Sequence, residues 1–179
     1  MKQELHDIFQ LEDTKQFEKA FEAYADLYSK NKTEFEIWKH FYFFLWTAIE
    51  DASSSFHNRI NLRHLLQMML DEGKKEFSFS ADFNFIAGYT VSIFPYEYGD
   101  YDDLEKEGNQ MLKKAAKLEP NNLIYKVAYL GFQSNVDPKL YRRSEIEAAP
   151  MVLEMFRGQG FLNKYFGQVL YRPDKKANR

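Results

Sequence analysis

The side chains best suited to metal binding or acid-base chemistry are the four histidines, His6, His40, His57 and His64. A zinc site on one helix needs two histidines four residues apart, because that spacing directs both ring nitrogens at one ion. His57 and His64 are predicted to lie two turns apart on one helix, with no carboxylate at ligand spacing. We therefore predict no metal site and no cofactor.

Nucleophilic catalysis has little support in the sequence. The chain contains no cysteine, which excludes disulfides, thiolate zinc sites and cysteine nucleophiles. The serines at 53–55 lie in no nucleophile elbow and are better explained as a polar joint between helices, and there is no glycine-rich phosphate loop. We predict that the protein is not an enzyme. An enzyme of unrecognised type that uses His57 and His64 remains as an alternative hypothesis.

The most informative segment is 94–107, which holds six acidic side chains, one basic side chain and three tyrosines. Tyrosine supplies a large, stiff contact area with a polar tip, and clustered carboxylates orient a cationic partner. We predict that this segment binds a protein partner with a basic surface. The predicted contact residues are Tyr96, Glu97, Tyr98, Asp100, Tyr101, Asp102, Asp103 and Glu105.

The alternative is that the same segment is a solvated loop. Its acids would then simply favour the positive N-terminal end of the following helix, as Asp102, Asp103 and Glu105 could do. The loop alternative leaves the three tyrosines unexplained, since an insertion between helices has no packing reason to carry them.

Charge and hydropathy limit the class of partner. The formal net charge is -3, from 27 acidic and 24 basic residues, which argues against a broad nucleic-acid-binding face. The most apolar stretch, 41–49, is far shorter than the about 20 residues that cross a membrane. The N-terminus resembles no secretion signal. We expect a cytoplasmic protein that binds neither nucleic acid nor membrane.

The side chains of the predicted binding segment must be held in place by the fold, which we expect to be helical. With 17% aromatic residues in 179, the chain can bury a sizeable core, and we predict one domain over 1–172 with a basic, frayed tail at 173–179. Apolar residues three and four apart predict an all-α fold in which about two thirds of residues are helical. About eight helices are expected in antiparallel hairpins, arranged as a short solenoid or an irregular bundle. They are placed at about 14–30, 34–50, 60–73, 81–93, 102–118, 123–132, 150–156 and 161–171.

Several side chains have specific structural roles in this prediction. Thr33 and Glu36 form a capping box for the second helix, Ser80 and Asn122 cap later helices, and Pro150 occupies the first turn of a short one. The predicted core includes Trp38, Phe41, Leu45 and Leu112.

The joint at 115–125 resembles the boundary between tetratricopeptide repeats. Ala115, the run LEPNN at 118–122 and Tyr125 follow in the order expected there, with Gly88, Gly108 and Leu112 near the small and apolar positions. This resemblance implies an adaptor that holds an extended peptide tail in a concave helical face. The groove residues of such an adaptor would include Asn84, Lys113 and Lys126.

The chain as a whole, small, acidic and helical with a closing helix at 161–170, also resembles helical immunity proteins of bacterial contact-dependent inhibition systems. That resemblance implies that the partner is a toxin nuclease domain. Carboxylates of the 94–107 segment would then occupy a groove that normally receives phosphate groups.

Overall fold

The structure is a computed structural model that describes residues 2–98 and 101–174, without the side chains of residues 101 and 102. This part of the chain is 78% helical and contains no strand, which confirms the all-α prediction. Ten α-helices occur there, two more than expected, and none combines the length and apolar character needed to cross a bilayer. They are α1 Lys2–Asp13, α2 Phe17–Lys30, α3 Phe35–Asp51, α4 Ser54–Arg59, α5 Leu62–Glu76, α6 Ala81–Ile93, α7 Tyr101–Leu118, α8 Leu123–Gly131, α9 Pro138–Met155 and α10 Phe161–Val169, with a 3-10 turn at Pro95–Glu97.

The helices pack into two compact units. Unit 1 comprises Met1–Phe77 with Gln159–Leu162, and unit 2 comprises Ser78–Gly158 with Asn163–Arg179. The single domain over 1–172 and the hairpin repeat stay predictions. Of the predicted tail, Lys175 onward lies outside the described residues, whereas the Arg142 guanidinium donates to the Pro173 carbonyl at 2.9 Å.

The core of unit 1 is built around α3, which packs against α2 and α5. Trp38, Phe41 and Leu45 are buried, as predicted. Tyr24 stacks on Phe41 with ring centroids 5.3 Å apart, and Trp38 stacks on Tyr42 at 4.7 Å. The Trp38 indole donates to a backbone carbonyl of α5 at 2.9 Å, so its polar nitrogen is satisfied inside the core.

A buried carboxylate fixes α1, a helix that the sequence analysis did not predict. Glu12 is 2% exposed and accepts hydrogen bonds from the Tyr24 hydroxyl at 2.7 Å and the Phe161 backbone N–H at 2.6 Å. Burial, with the adjacent Glu12 carboxylate, raises the pKa of Tyr24 well above its usual value. Gly160 has φ +90, and a Cβ there would lie 2.8 Å from the Phe9 ring, so only glycine fits this approach. Glu12 thereby joins α1, α2 and the 159–162 segment within unit 1.

In unit 2 the closest helix contact is between α6 and α7. A Cβ on Gly88 would lie 2.9 Å from the Leu112 backbone nitrogen, and one on Gly108 would lie 3.0 Å from the Gly88 carbonyl oxygen. The two glycines therefore let the helix backbones touch. Leu112 is fully buried beside them, as predicted. This contact fixes the position of α7, the helix that carries much of the predicted binding segment.

Two predictions about how helices begin are wrong, the Thr33–Glu36 capping box and the place of Pro150. The N-cap of α3 is Glu34, without a side-chain cap bond, and Glu36 instead contacts the Lys39 ammonium at 2.6 Å, so the Thr33 capping box does not form. Pro150 lies inside α9 rather than in its first turn. The reason is that the Asp137 side chain caps α9 and Pro138 occupies its first position, so the helix begins well before Pro150.

We predict that Phe41→Ala lowers the free energy of unfolding by about 3 to 5 kcal/mol, through lost burial and the cavity left behind. Phe79→Ala is the matched control, because Phe79 is 88% exposed and should lose little. Urea denaturation followed by circular dichroism measures both. Equal losses for the two variants would contradict the central position of α3.

Candidate functional site

The histidines are not arranged as the sequence predicted. His57 lies in α4 and His64 in α5, so the prediction that they share one helix is wrong. The reason is the Asn61 side chain, which accepts the His64 backbone N–H at 3.1 Å and starts a new helix between them. Among the residues that the structure describes, no three His, Asp or Glu side chains are grouped to hold a metal ion.

His40 is a core residue of unit 1. Its side chain is buried, and its ring centroid lies 4.7 Å from that of Phe9. Burial, with a smaller effect of the adjacent Lys39 ammonium, lowers the pKa of His40 to about 3. The imidazole is therefore neutral at physiological pH and has no exposed position from which to act on a substrate.

The predicted binding segment begins with the 3-10 turn, which packs against α7. Tyr96, in this turn, is 54% exposed, and its ring lies 5.6 Å from the Phe94 ring. Asp103 and Glu105, in the first turns of α7, are also exposed. We name Tyr96, Asp103 and Glu105 the acidic surface.

Two of the other predicted contact residues are buried. Glu97 and Tyr98 are only 5% and 3% exposed, so neither side chain is presented to a partner. The local reason is the turn itself, in which the Tyr98 N–H donates to the Pro95 carbonyl at 3.0 Å and the chain folds back toward α7. Asp100 and the side chains of Tyr101 and Asp102 lie outside the described part of the chain.

A groove of about 460 Å³ lies beside the acidic surface, between α7 and α8. Glu105 belongs to both, so the two features are continuous. The groove is lined mainly by amide, aromatic and lysine side chains. The lining residues are Glu105, Lys106, Asn109, Gln110, Lys113, Tyr129, Phe132, Gln133 and Ser134.

The polar groups of this groove suit an extended peptide. The Gln133 amide donates to the Asn109 side-chain oxygen at 3.4 Å, at the long limit of a hydrogen bond. Amides of this kind can exchange a weak mutual bond for bonds to a peptide backbone, because they carry both donors and acceptors. Lys106 and Lys113 are exposed at the groove and can pair with carboxylates.

Of the adaptor residues predicted from the repeat resemblance, only Lys113 lines this groove. Asn84 is buried and donates to the Ser78 and Ser80 carbonyls at 2.8 and 2.7 Å, which is a structural role at the start of α6. Lys126 is exposed on α8 but is not a groove residue. Asn109 and Gln133 were missed, since no local pattern indicates that an amide of α7 will meet an amide of the loop after α8.

The neutral His40 should make stability depend on pH. Between its usual pKa of about 6.5 and about 3, the unfolded chain binds a proton that the folded chain does not, so stability falls as pH falls through this window. We predict that, as the pH falls from 7 to 4, the free energy of unfolding decreases less for His40→Phe than for the parent. The two slopes should differ by up to about 1.4 kcal/mol per pH unit. Urea denaturation at several pH values measures this, with the exposed His64→Gln as control. If the unfolding free energies of the parent and of His40→Phe change with pH in parallel, His40 is not the buried neutral group described above.

Tyr98 and Tyr96, two residues apart, should respond differently to truncation. Tyr98→Ala removes a buried ring and should lower the free energy of unfolding by about 3 to 5 kcal/mol. Tyr96→Ala removes a half-exposed ring and should cost less than about 1 kcal/mol. Thermal and urea denaturation of the two variants check the difference, and a larger loss for Tyr96→Ala would contradict the described turn.

Comparison with known proteins finds no relative of this chain: no protein-family model, no curated protein and no solved structure matches it. The surfaces that bear on its function are therefore those of the chain itself, above all the acidic surface and the groove beside it.

Proposed function

We propose that this protein is a binding module that acts as an immunity protein, neutralising a cognate toxin domain through the acidic surface. The observation that supports this most is that Tyr96, Asp103 and Glu105 are all solvent-exposed on α7 and the turn packed against it. Exposed tyrosine and carboxylate side chains within one short segment combine contact area with charge, which is the composition of an interface for a basic protein.

The rigidity of α7 favours binding over the solvated-loop alternative. Asp103 and Glu105 are held on a helix whose backbone touches α6 at Gly88 and Gly108. Groups fixed before association lose little conformational freedom on binding, so more of their interaction energy appears as affinity. The loop alternative explains the acids through the helix dipole but gives no role to the exposed Tyr96.

The partner that fits this surface is a basic nuclease domain, as the resemblance to immunity proteins implies. Its phosphate-binding groove would attract the carboxylates of the acidic surface, which would then block substrate. In this proposal the protein acts by occupying a site and carries out no reaction. A cytoplasmic location is part of the same proposal.

The groove between α7 and α8 favours a second candidate, a tetratricopeptide-type adaptor that binds a peptide tail. The amides of Asn109 and Gln133 would bond to the peptide backbone, and Lys113 would pair with an acidic side chain or the terminal carboxylate. The two candidates share Glu105 but otherwise use different residues of unit 2, so a groove variant that leaves Glu105 unchanged can separate them.

The test begins with co-purification of the native complex and identification of the partner by mass spectrometry. We expect the combined variant Tyr96→Ala, Asp103→Asn, Glu105→Gln to bind the purified partner at least about 30-fold more weakly, which corresponds to about 2 kcal/mol. Rising salt should slow association of the parent complex. Glu147→Gln with Glu154→Gln, two exposed acids of α9, is the control with the same change in charge.

If the acidic-surface variant binds as tightly as the parent, or does not change inhibition of the partner's nuclease activity, the immunity proposal is wrong. The variant Lys106→Ala, Gln110→Ala, Lys113→Ala tests the adaptor in the same assay. A loss of affinity in this variant alone would place the interface in the groove.

A further inference from the structure

Unit 1 contains a cleft of about 530 Å³ where α4 meets α5. Its lining is unusual because basic and amide side chains predominate, and no acidic side chain is among the lining residues in the described part of the chain. The lining residues are Ile49, His57, Asn58, Arg59, Ile60, Asn61, Leu62 and Arg63.

The break between the two helices creates this cleft. Phe56, 1% exposed, is the buried residue of α4, and α5 begins with the buried Leu62, which is 2% exposed. Between them Ile60 is extended, with φ -131 and ψ 123. Arg59 therefore ends one helix and Arg63 belongs to the first turn of the next, and both line the same cleft.

The donors in the cleft match a phosphate group better than a carboxylate. Arg59 and Arg63 each carry a planar fork of N–H groups, and His57, Asn58 and Asn61 add further polar atoms to the lining. A carboxylate has only two oxygens to accept from these donors, whereas a phosphate monoester has three terminal oxygens and up to two negative charges.

The rest of the lining indicates what else the ligand contains. Ile49, Ile60 and Leu62 form an apolar part of the wall, and the volume lies in the range of small-molecule sites. We propose that this cleft binds a small phosphate monoester with an apolar or aromatic organic part. The site is independent of the proposed function, because all of its residues belong to unit 1 and none contributes to the acidic surface.

An ion pair beside the cleft supplies a specific test. Arg59 contacts the Glu18 carboxylate, and the two side chains are 59% and 50% exposed. Exposed ion pairs contribute little net energy, so a phosphate dianion can compete with Glu18 for the guanidinium. Removing the Glu18 charge should therefore strengthen phosphate binding, while removing either arginine should weaken it.

The experiment is a titration of the full chain with inorganic phosphate and with phenyl phosphate, followed by the backbone amide signals of residues 57–64 in two-dimensional NMR. We expect phenyl phosphate to bind more tightly than inorganic phosphate, because its ring contacts the apolar wall. Arg63→Ala should weaken binding by about 10-fold or more, and Glu18→Gln should tighten it severalfold. Arg157→Ala, an exposed arginine in unit 2, is the matched control.

Arg63→Lys distinguishes a built site from general attraction to positive charge, since it keeps the charge and removes the fork of donors. It should bind phenyl phosphate clearly less tightly than the parent while keeping the parent melting temperature. The proposal is overturned if Arg63→Ala and Arg157→Ala have the same effect, if the signals of 57–64 do not shift, or if citrate binds as tightly as phenyl phosphate.

Discussion

The backbone contact between α6 and α7 is the constraint on which the acidic surface and the adjoining groove depend. Gly88 and Gly108 lie face to face, and a methyl group on either would meet a backbone atom at 3.0 Å or less. Such an approach leaves no room for the helices to slide, because packed backbones do not deform as flexible side chains do. The position of α7 in turn determines where Asp103 and Glu105 point and where α7 meets α8.

Hydrogen bonds between tyrosine hydroxyls and carboxylates give a second kind of constraint. In unit 1 the Glu12 carboxylate accepts from Tyr24 and Phe161, and the Tyr28 hydroxyl donates to Glu72 at 2.8 Å. In unit 2 the Tyr125 hydroxyl contacts Asp82. An unpaired polar group in such a position would cost free energy, so each of these pairs selects one arrangement of the helices that carry it.

Two local surfaces have opposite chemistry. The acidic surface in unit 2 combines Tyr96 of the 3-10 turn with two carboxylates of α7, whereas the cleft in unit 1 is lined by Arg59, Arg63 and His57. The net charge of -3 describes neither surface, because it sums over the whole chain. The local distribution of charge, rather than its total, indicates which ligands each surface can attract.

The sequence by itself determined the class of the fold and much of its local structure. The helical spacing of apolar residues and the Ser80 and Asn122 caps are set within a few turns of chain, and the same spacing predicted that Trp38 and Leu112 face the core. The sequence did not predict α1, because this helix places few apolar residues on its buried face. It also placed Pro150 in the first turn of a helix, where proline is favoured, whereas that helix already begins at Pro138.

Only the tertiary structure decided which side chains reach solvent and which meet across helices. Tyr96 and Tyr98 are alike in sequence context, yet one is exposed and the other buried, because the 3-10 turn directs them differently against α7. Asn109 of α7 meets Gln133 of the loop after α8, and Arg59 and Arg63 share the cleft at the break between α4 and α5. Local periodicity carries no information about such contacts, since they depend on how separate helices pack.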